Sequence, residues 1–114
     1  MNITHDDQKN YSKDLNLNEV DNLLAIWAKP KGLLKPENKL AQLAKLLEES
    51  GELASGILKN DKELKIDSAG DIFVVLSLLC RQLGFSLQDA ANHAYNEIKD
   101  RTGTISDDGS FIKD

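Results

Sequence analysis

Five acidic residues stand at spacings that suit metal-ion chemistry. Glu48, Glu49 and Glu52 fall on one side of a helix, because each residue turns a helix by about 100°. Asp67 and Asp71 are one helical turn apart, so their side chains share a face. They lead into an apolar segment, where two carboxylates repel each other unless a cation lies between them. Oxygen ligands in this number suit a hard divalent ion, Mg²⁺ or Mn²⁺.

A simpler interpretation of these acids stays open, because a Glu-rich helix face is most often only solvated. Other metal sites are less compatible with the chain. A di-iron carboxylate bundle would need a Glu three residues before a His, and neither His5 nor His93 has one. Zinc would need more Cys and His. Cys80, the single cysteine, lies inside the apolar segment and is expected in the core.

Composition bounds the class of protein. The chain has 114 residues, with 14 Lys and Arg against 19 Asp and Glu, for a net charge of -5. This length predicts one domain with a modest core. The acidic balance disfavours binding to nucleic-acid polymers and to anionic membranes, because both need clustered Lys and Arg. A single Cys excludes an internal disulfide, and no stretch reaches the ~18 apolar residues of a membrane span. We therefore expect a cytoplasmic protein.

The elements that must position the acids are predicted to be four helices. Apolar spacing and turn residues place them at about 18–28, 37–59, 63–83 and from Ser86 onward, with Asp61 and Ser86 as helix caps. The segment IFVVLSLLC has the composition of a buried strand. It is interpreted as helix because no second strand-like segment is present to pair with it. The predicted fold is an all-α four-helix bundle.

The sequence also predicts which helix faces are apolar and where the domain begins and ends. The third helix is apolar on every side, so it is expected either at the centre or at a subunit interface. Residues 1–16 lack periodicity and are expected to form a flexible arm before one domain over 17–114. Phe111 and Ile112 are expected to pack as a short extension. An apolar stripe on the second helix comprises Leu40, Leu43, Leu47, Ala54, Ile57 and Leu58, widened by Leu46 and Leu53.

The sequence resembles the MazG-like nucleotide pyrophosphohydrolases, within the all-α nucleoside triphosphate pyrophosphatase superfamily. The resemblance rests on EESGE (48–52) and DSAGD (67–71), against a family pattern of E-E-x-x-E followed by E-x-x-D. IWAKPKGLL, KLAQLAKLLEESGELASGI, AYNEIKDRTG and DGSFIKD are similar too, above all to short, single-domain members, many of them phage-encoded. One position departs: Ser68 stands where the family has Glu, and Asp67 is the candidate replacement.

The resemblance implies hydrolysis of a (deoxy)nucleoside triphosphate between the α- and β-phosphates, which yields the monophosphate and pyrophosphate. It also implies a Mg²⁺ ion, with Mn²⁺ as the other possibility, held by Glu49, Glu52, Asp71 and Asp67. Such an ion would neutralise phosphate oxygens and orient a water molecule. Glu48 is then either a further ligand or the base that deprotonates the water.

Nucleotide binding is implied for further residues. Asn96, Lys99 and Arg101 match family positions that contact the nucleotide, although cations at a helix end also complement its dipole. Lys45 either reaches a phosphate or pairs with Glu49. Trp27 either stacks on a base or belongs to the core.

The resemblance also implies a homo-oligomer, a dimer or a tetramer, with active sites near subunit interfaces. The predicted third helix, which is apolar on every side, also favours association of subunits. The competing hypothesis is a non-catalytic helical interaction module with a structural or vestigial metal site, and Ser68 is the feature that keeps it open.

Overall fold

The described part of the protein, residues 14–114, consists of four helices and a small C-terminal hairpin. The computed structural model describes residues 14–114. The elements are α1 (Leu17–Ala28), α2 (Lys39–Lys59), α3 (Lys62–Gln82), α4 (Leu87–Ile98), β1 (Gly103–Ile105) and β2 (Phe111–Lys113), with short 3-10 helices at Lys29–Lys31 and Pro36–Asn38. The predicted all-α, four-helix fold is confirmed. Most of the predicted arm, residues 1–13, lies outside the described residues, and the arm and the domain bounds stay predictions.

Side-chain caps fix where the helices begin. The side chains of Asn16, Asp61 and Ser86 each accept a hydrogen bond from the backbone amide three residues later, at 2.8, 3.1 and 3.0 Å. Such caps satisfy amides that have no partner inside the helix. The predicted caps of α3 and α4 are thereby confirmed. Helix α2 begins at Lys39, two residues later than predicted, because Pro36–Asn38 forms a 3-10 turn.

Helices α2 and α3 form a tight antiparallel hairpin. Asn60, in a left-handed conformation with φ 52°, ends α2, and α3 starts two residues later. The two backbones lie close together at Gly56. A Cβ atom there would stand 3.1 Å from the backbone nitrogen of Lys65. The second half of α3 forms the core, with Val75, Ser77, Leu78, Leu79, Cys80 and Gln82 buried on different sides of the helix. This confirms that part of α3 is buried all round.

Helix α2 turns its apolar stripe away from the core of its own chain. Leu46 and Leu53 are partly buried, and Glu49 and Gly56 are buried, on the side that faces α3. On the opposite side lies what we call the α2 stripe, which comprises Leu40, Leu43, Leu47, Ile57 and Leu58, with exposures between 44% and 87%. The face of α2 that packs within the chain is therefore the one that carries the buried acid.

Helix α4 leaves the hairpin at a steep angle. It is bent 98° from α3 and packs against α1 and α3, and within residues 14–114 it makes no contact with α2. Among these residues no single helix is long and apolar enough to cross a membrane. Helices α3 and α4 reach that length and composition only when they are counted together across their bend.

The C-terminal segment forms a β-hairpin that the sequence did not predict. Strands β1 and β2 pair antiparallel, with Gly103 opposite Lys113 and Ile105 opposite Phe111. The expectation that Phe111 and Ile112 pack as an extension of the bundle was wrong, because both are 55% exposed. The Phe111 ring lies over Gly103 instead, where a Cβ atom would stand 2.5 Å from it.

Candidate metal site

Glu49 is the buried centre of the acidic cluster. Only 6% of it is exposed, and its Oε2 atom has no hydrogen-bond partner in the described chain. Burial raises the pKa of its carboxyl group above the ordinary 4.5, and the charges of Glu52 and Asp71 raise it further. The predicted cluster on α2 is therefore joined electrostatically to Asp71 on α3. A cation placed among these groups would relieve their repulsion.

Lys45 supplies the positive charge that the structure shows beside these acids. Its Nζ atom lies 3.4 Å from Oε1 of Glu48 and 3.9 Å from Oε1 of Glu49. The ammonium lowers the pKa of Glu49, but less than burial and the neighbouring acids raise it. The predicted pairing with Glu49 is present, with Glu48 as the nearer partner, and a contact of Lys45 with phosphate stays a prediction.

Neighbouring residues of α3 have opposite environments. Asp67 and Asp71 are exposed, whereas Ser68 is only 1% exposed and its hydroxyl has no hydrogen-bond partner in the described chain. Successive residues point about 100° apart around a helix, so only one of the two positions 67 and 68 faces α2 directly. In this chain the inward position holds the neutral residue.

Comparison with known proteins decides the family. The MazG nucleotide pyrophosphohydrolase domain matches residues 37–105, more than half of the chain. The chain belongs to the MazG nucleotide pyrophosphohydrolase family. An uncharacterized 18.2 kDa protein in the rep-hol intergenic region of Haemophilus phage HP1 is 43% identical over 56 residues, which cover 49% of this chain and 34% of that protein. The chain thus spans about a third of the length of this relative. No solved structure matches.

MazG proteins generally depend on a divalent metal ion. The acids of this chain are the groups that could hold one. Within residues 14–114, no three His, Cys, Asp or Glu side chains are arranged to hold a metal ion as they stand. The donor chemistry nevertheless fits a hard cation. Glu49 offers a buried, unpartnered carboxylate oxygen, and the charges of Glu52 and Asp71 act on it. These three residues would hold the ion, and a place for Asp67 stays a prediction.

Apart from Lys45, the residues predicted to bind nucleotide lie outside the α2–α3 hairpin of the MazG chain. Asn96 is exposed in the last turn of α4, and Lys99 and Arg101 are exposed just beyond it. Helix α4, which carries Asn96, makes no contact with α2 within residues 14–114, so one chain does not bring Asn96 to the acids of α2. Trp27 is 48% exposed, and the ammonium of Lys31 lies 4.6 Å from the centre of its ring. This is a surface tryptophan rather than a core one.

A buried ion pair between α1 and α3 of the MazG chain was not predicted from the sequence. Asp21 on α1, 3% exposed, accepts hydrogen bonds from the Ser77 hydroxyl and from Nη2 of Arg81 at 3.0 Å. The pair joins α1 to the core helix. The sequence did contain a signal, since Ser77 and Arg81 stand one turn apart and flank the apolar residues 78–80. Asp21 also borders a cavity of about 260 Å³ between α1, α3 and α4, lined mainly by Leu17, Phe73, Leu87 and Ala91.

Proposed function

We propose that this MazG-family chain hydrolyses (deoxy)nucleoside triphosphates to the monophosphate and pyrophosphate in a Mg²⁺-dependent reaction. The observation that carries the proposal is the environment of Glu49. A buried carboxylate with an unpartnered oxygen lies where the charges of Glu52 and Asp71 also act. Such a group gains most from a divalent cation. A triphosphate is itself highly charged, so an acidic cluster binds it through cations that both share.

The metal-binding role falls to the carboxylates of the α2–α3 hairpin. Glu49 is the inner ligand, and Glu52 and Asp71 add oxygens from the two helices. Asp67, one turn before Asp71, is the proposed fourth carboxylate at the exposed rim. When bound, Mg²⁺ or Mn²⁺ neutralises phosphate oxygens and orients the attacking water.

Glu48 is proposed as the base that takes a proton from the attacking water. It is exposed next to Glu49, and the Lys45 ammonium at 3.4 Å holds its carboxylate. An exposed carboxylate beside the ligands can reach a water molecule that the ligands themselves cannot deprotonate. Lys45 lies between the two acids and would turn to a phosphate oxygen when a nucleotide enters.

The remaining substrate contacts are proposed to come from a second copy of the chain. Lys99 and Arg101 would bind phosphate oxygens, Asn96 would donate to the nucleotide, and half-exposed Trp27 would stack on the base. The α2 stripe gives a reason for association. Burying one Leu or Ile side chain contributes about 1.5–3 kcal/mol, and the stripe has five. We therefore propose a homo-oligomer, a dimer or a tetramer, in which α2 packs against a partner.

The wider setting follows from charge and composition. With a net charge of -5, the chain is proposed to act on free nucleotides, with no nucleic-acid polymer and no membrane as partner. A cytoplasmic location and a catalytic domain over residues 17–114 belong to the same proposal.

The test is to incubate the protein with a panel of nucleoside and deoxynucleoside triphosphates and Mg²⁺, and to measure the phosphorus products. We expect pyrophosphate from the wild type and none from Glu52→Gln. Glu63→Gln removes an exposed carboxylate from the first turn of α3 and serves as the matched control with unchanged activity. Release of orthophosphate would contradict the proposed bond. No release with any nucleotide, from a protein that binds Mn²⁺, would favour the non-catalytic helical interaction module.

A further inference from the structure

Two serines of α3 are equally buried but differ in their bonding. Ser68 is 1% exposed and Ser77 is 0% exposed. The Ser77 hydroxyl donates to the carboxylate of Asp21, whereas the Ser68 hydroxyl has no partner in the described chain. A buried hydroxyl without a partner loses its bonds to water and receives nothing in return. The burial of the Ser68 hydroxyl is therefore unfavourable unless a ligand outside the described chain forms a hydrogen bond with it.

The register of the hairpin places Ser68 beside the acids. Gly56 of α2 meets Leu64 and Lys65 of α3 near the turn that joins the two helices. One helical turn from this contact, the antiparallel arrangement brings Glu52 to the level of Ser68. A further turn reaches the level of Glu49 and Asp71, which agrees with the charge of Asp71 acting on Glu49.

A second unpartnered oxygen lies in the same seam between α2 and α3. It is Oε2 of Glu49, which in the ionised carboxylate accepts hydrogen bonds but cannot donate one. The negative charges of Glu52 and Asp71 favour a cation in this seam over a neutral ligand. A hydrated divalent ion bound by Glu49 carries water molecules that donate hydrogen bonds, and the Ser68 oxygen can accept one.

We propose that Ser68 is a positioning residue of the metal site, whose hydroxyl accepts a hydrogen bond from the water shell of the bound ion. The inference rests on the proposed metal site, but not on catalysis. It gives the neutral side chain at the inward position a role at the metal site. Groups that orient a metal's ligand shell typically change its affinity 10- to 100-fold when they are removed.

The experiment measures Mn²⁺ binding alone, without nucleotide, by calorimetric titration of the full chain. For Ser68→Ala we expect a Kd for Mn²⁺ about 10-fold higher than that of the wild type. Its melting temperature without metal should not fall, because the deleted hydroxyl has no partner to lose. Ser77→Ala is the matched control on the same helix. It should melt at a lower temperature, because Asp21 loses a donor, and should bind Mn²⁺ with an unchanged Kd.

A Ser68→Ala variant that binds Mn²⁺ within twofold of the wild type would overturn the inference, since the hydroxyl would then be only structural. A wild type that binds no Mn²⁺ would overturn it as well. The outcome is separable from that of the proposed function. Weaker Mn²⁺ binding by Ser68→Ala, in a protein that releases no pyrophosphate from any nucleotide, would support the role of Ser68 and refute catalysis.

Discussion

The ion pair between Asp21 and Arg81 permits a quantitative prediction about stability. In Asp21→Ala, the Ser77 hydroxyl and the Arg81 guanidinium lose the carboxylate that accepts their hydrogen bonds. Removing one partner of a buried ion pair costs about 3–5 kcal/mol. The Arg81 side chain is 22% exposed and keeps a 3.3 Å contact with the backbone oxygen of residue 21. Water and this contact compensate part of the loss, so we expect about 2–3 kcal/mol.

The assay is urea denaturation followed by circular dichroism, with Asp21→Ala compared with the double variant Asp21→Ala/Arg81→Met. The double variant contains no uncompensated charge, so it should recover at least about 1 kcal/mol of the lost stability. A single variant that loses less than about 0.5 kcal/mol would refute the reasoning, because surface substitutions have effects of that size. A double variant less stable than Asp21→Ala would refute it too.

Three further predictions concern the acids, the assembly and the hairpin. Without metal, Glu49→Gln should melt at a higher temperature than the wild type at pH 7. Because the carboxyl pKa is raised in the folded state, ionisation of Glu49 destabilises that state as the pH rises above 4.5, and Gln does not ionise. Melting curves above and below pH 4.5 should show that the gain disappears at the lower pH, where the wild-type group is protonated. Inactive Glu52→Gln and inactive Lys99→Ala should regain pyrophosphate release when they are refolded together, since different chains would supply the intact groups; no recovery would contradict the shared site. Gly103→Ala should lose the strand pairing seen by amide exchange, because its Cβ would stand 2.2 Å from the carbonyl oxygen of Ile112, while the helical circular dichroism is unchanged.

Much of the fold was predictable because it depends on local signals. Apolar spacing marks all four helices, and the caps at Asp61 and Ser86 were recognised from residue type alone. The hairpin at 103–113 was missed because each strand has only three residues. Such strands are too short to show a period-2 pattern, and turn residues dominate the segment.

The sequence predicts which acids belong to the candidate site but not how they are arranged. The spacing of Glu49, Glu52 and Asp71 indicated a shared cluster, and the charges that act on Glu49 agree with it. The buried ion pair of Asp21 and Arg81 could not be predicted from the sequence in this way. Its partners are 60 residues apart in the chain, and no local pattern reports which helices will meet.

The sequence by itself determined the family, the helices and the set of acids, because these follow from residue type and from spacing along one helix. Only the tertiary structure decided which way each face points. It turned the α2 stripe outward, brought Glu49 into the seam with α3, and placed Ser68 rather than Asp67 at the inward position. The physical reason is that orientation depends on contacts between helices, and a one-residue shift turns a side chain by about 100°.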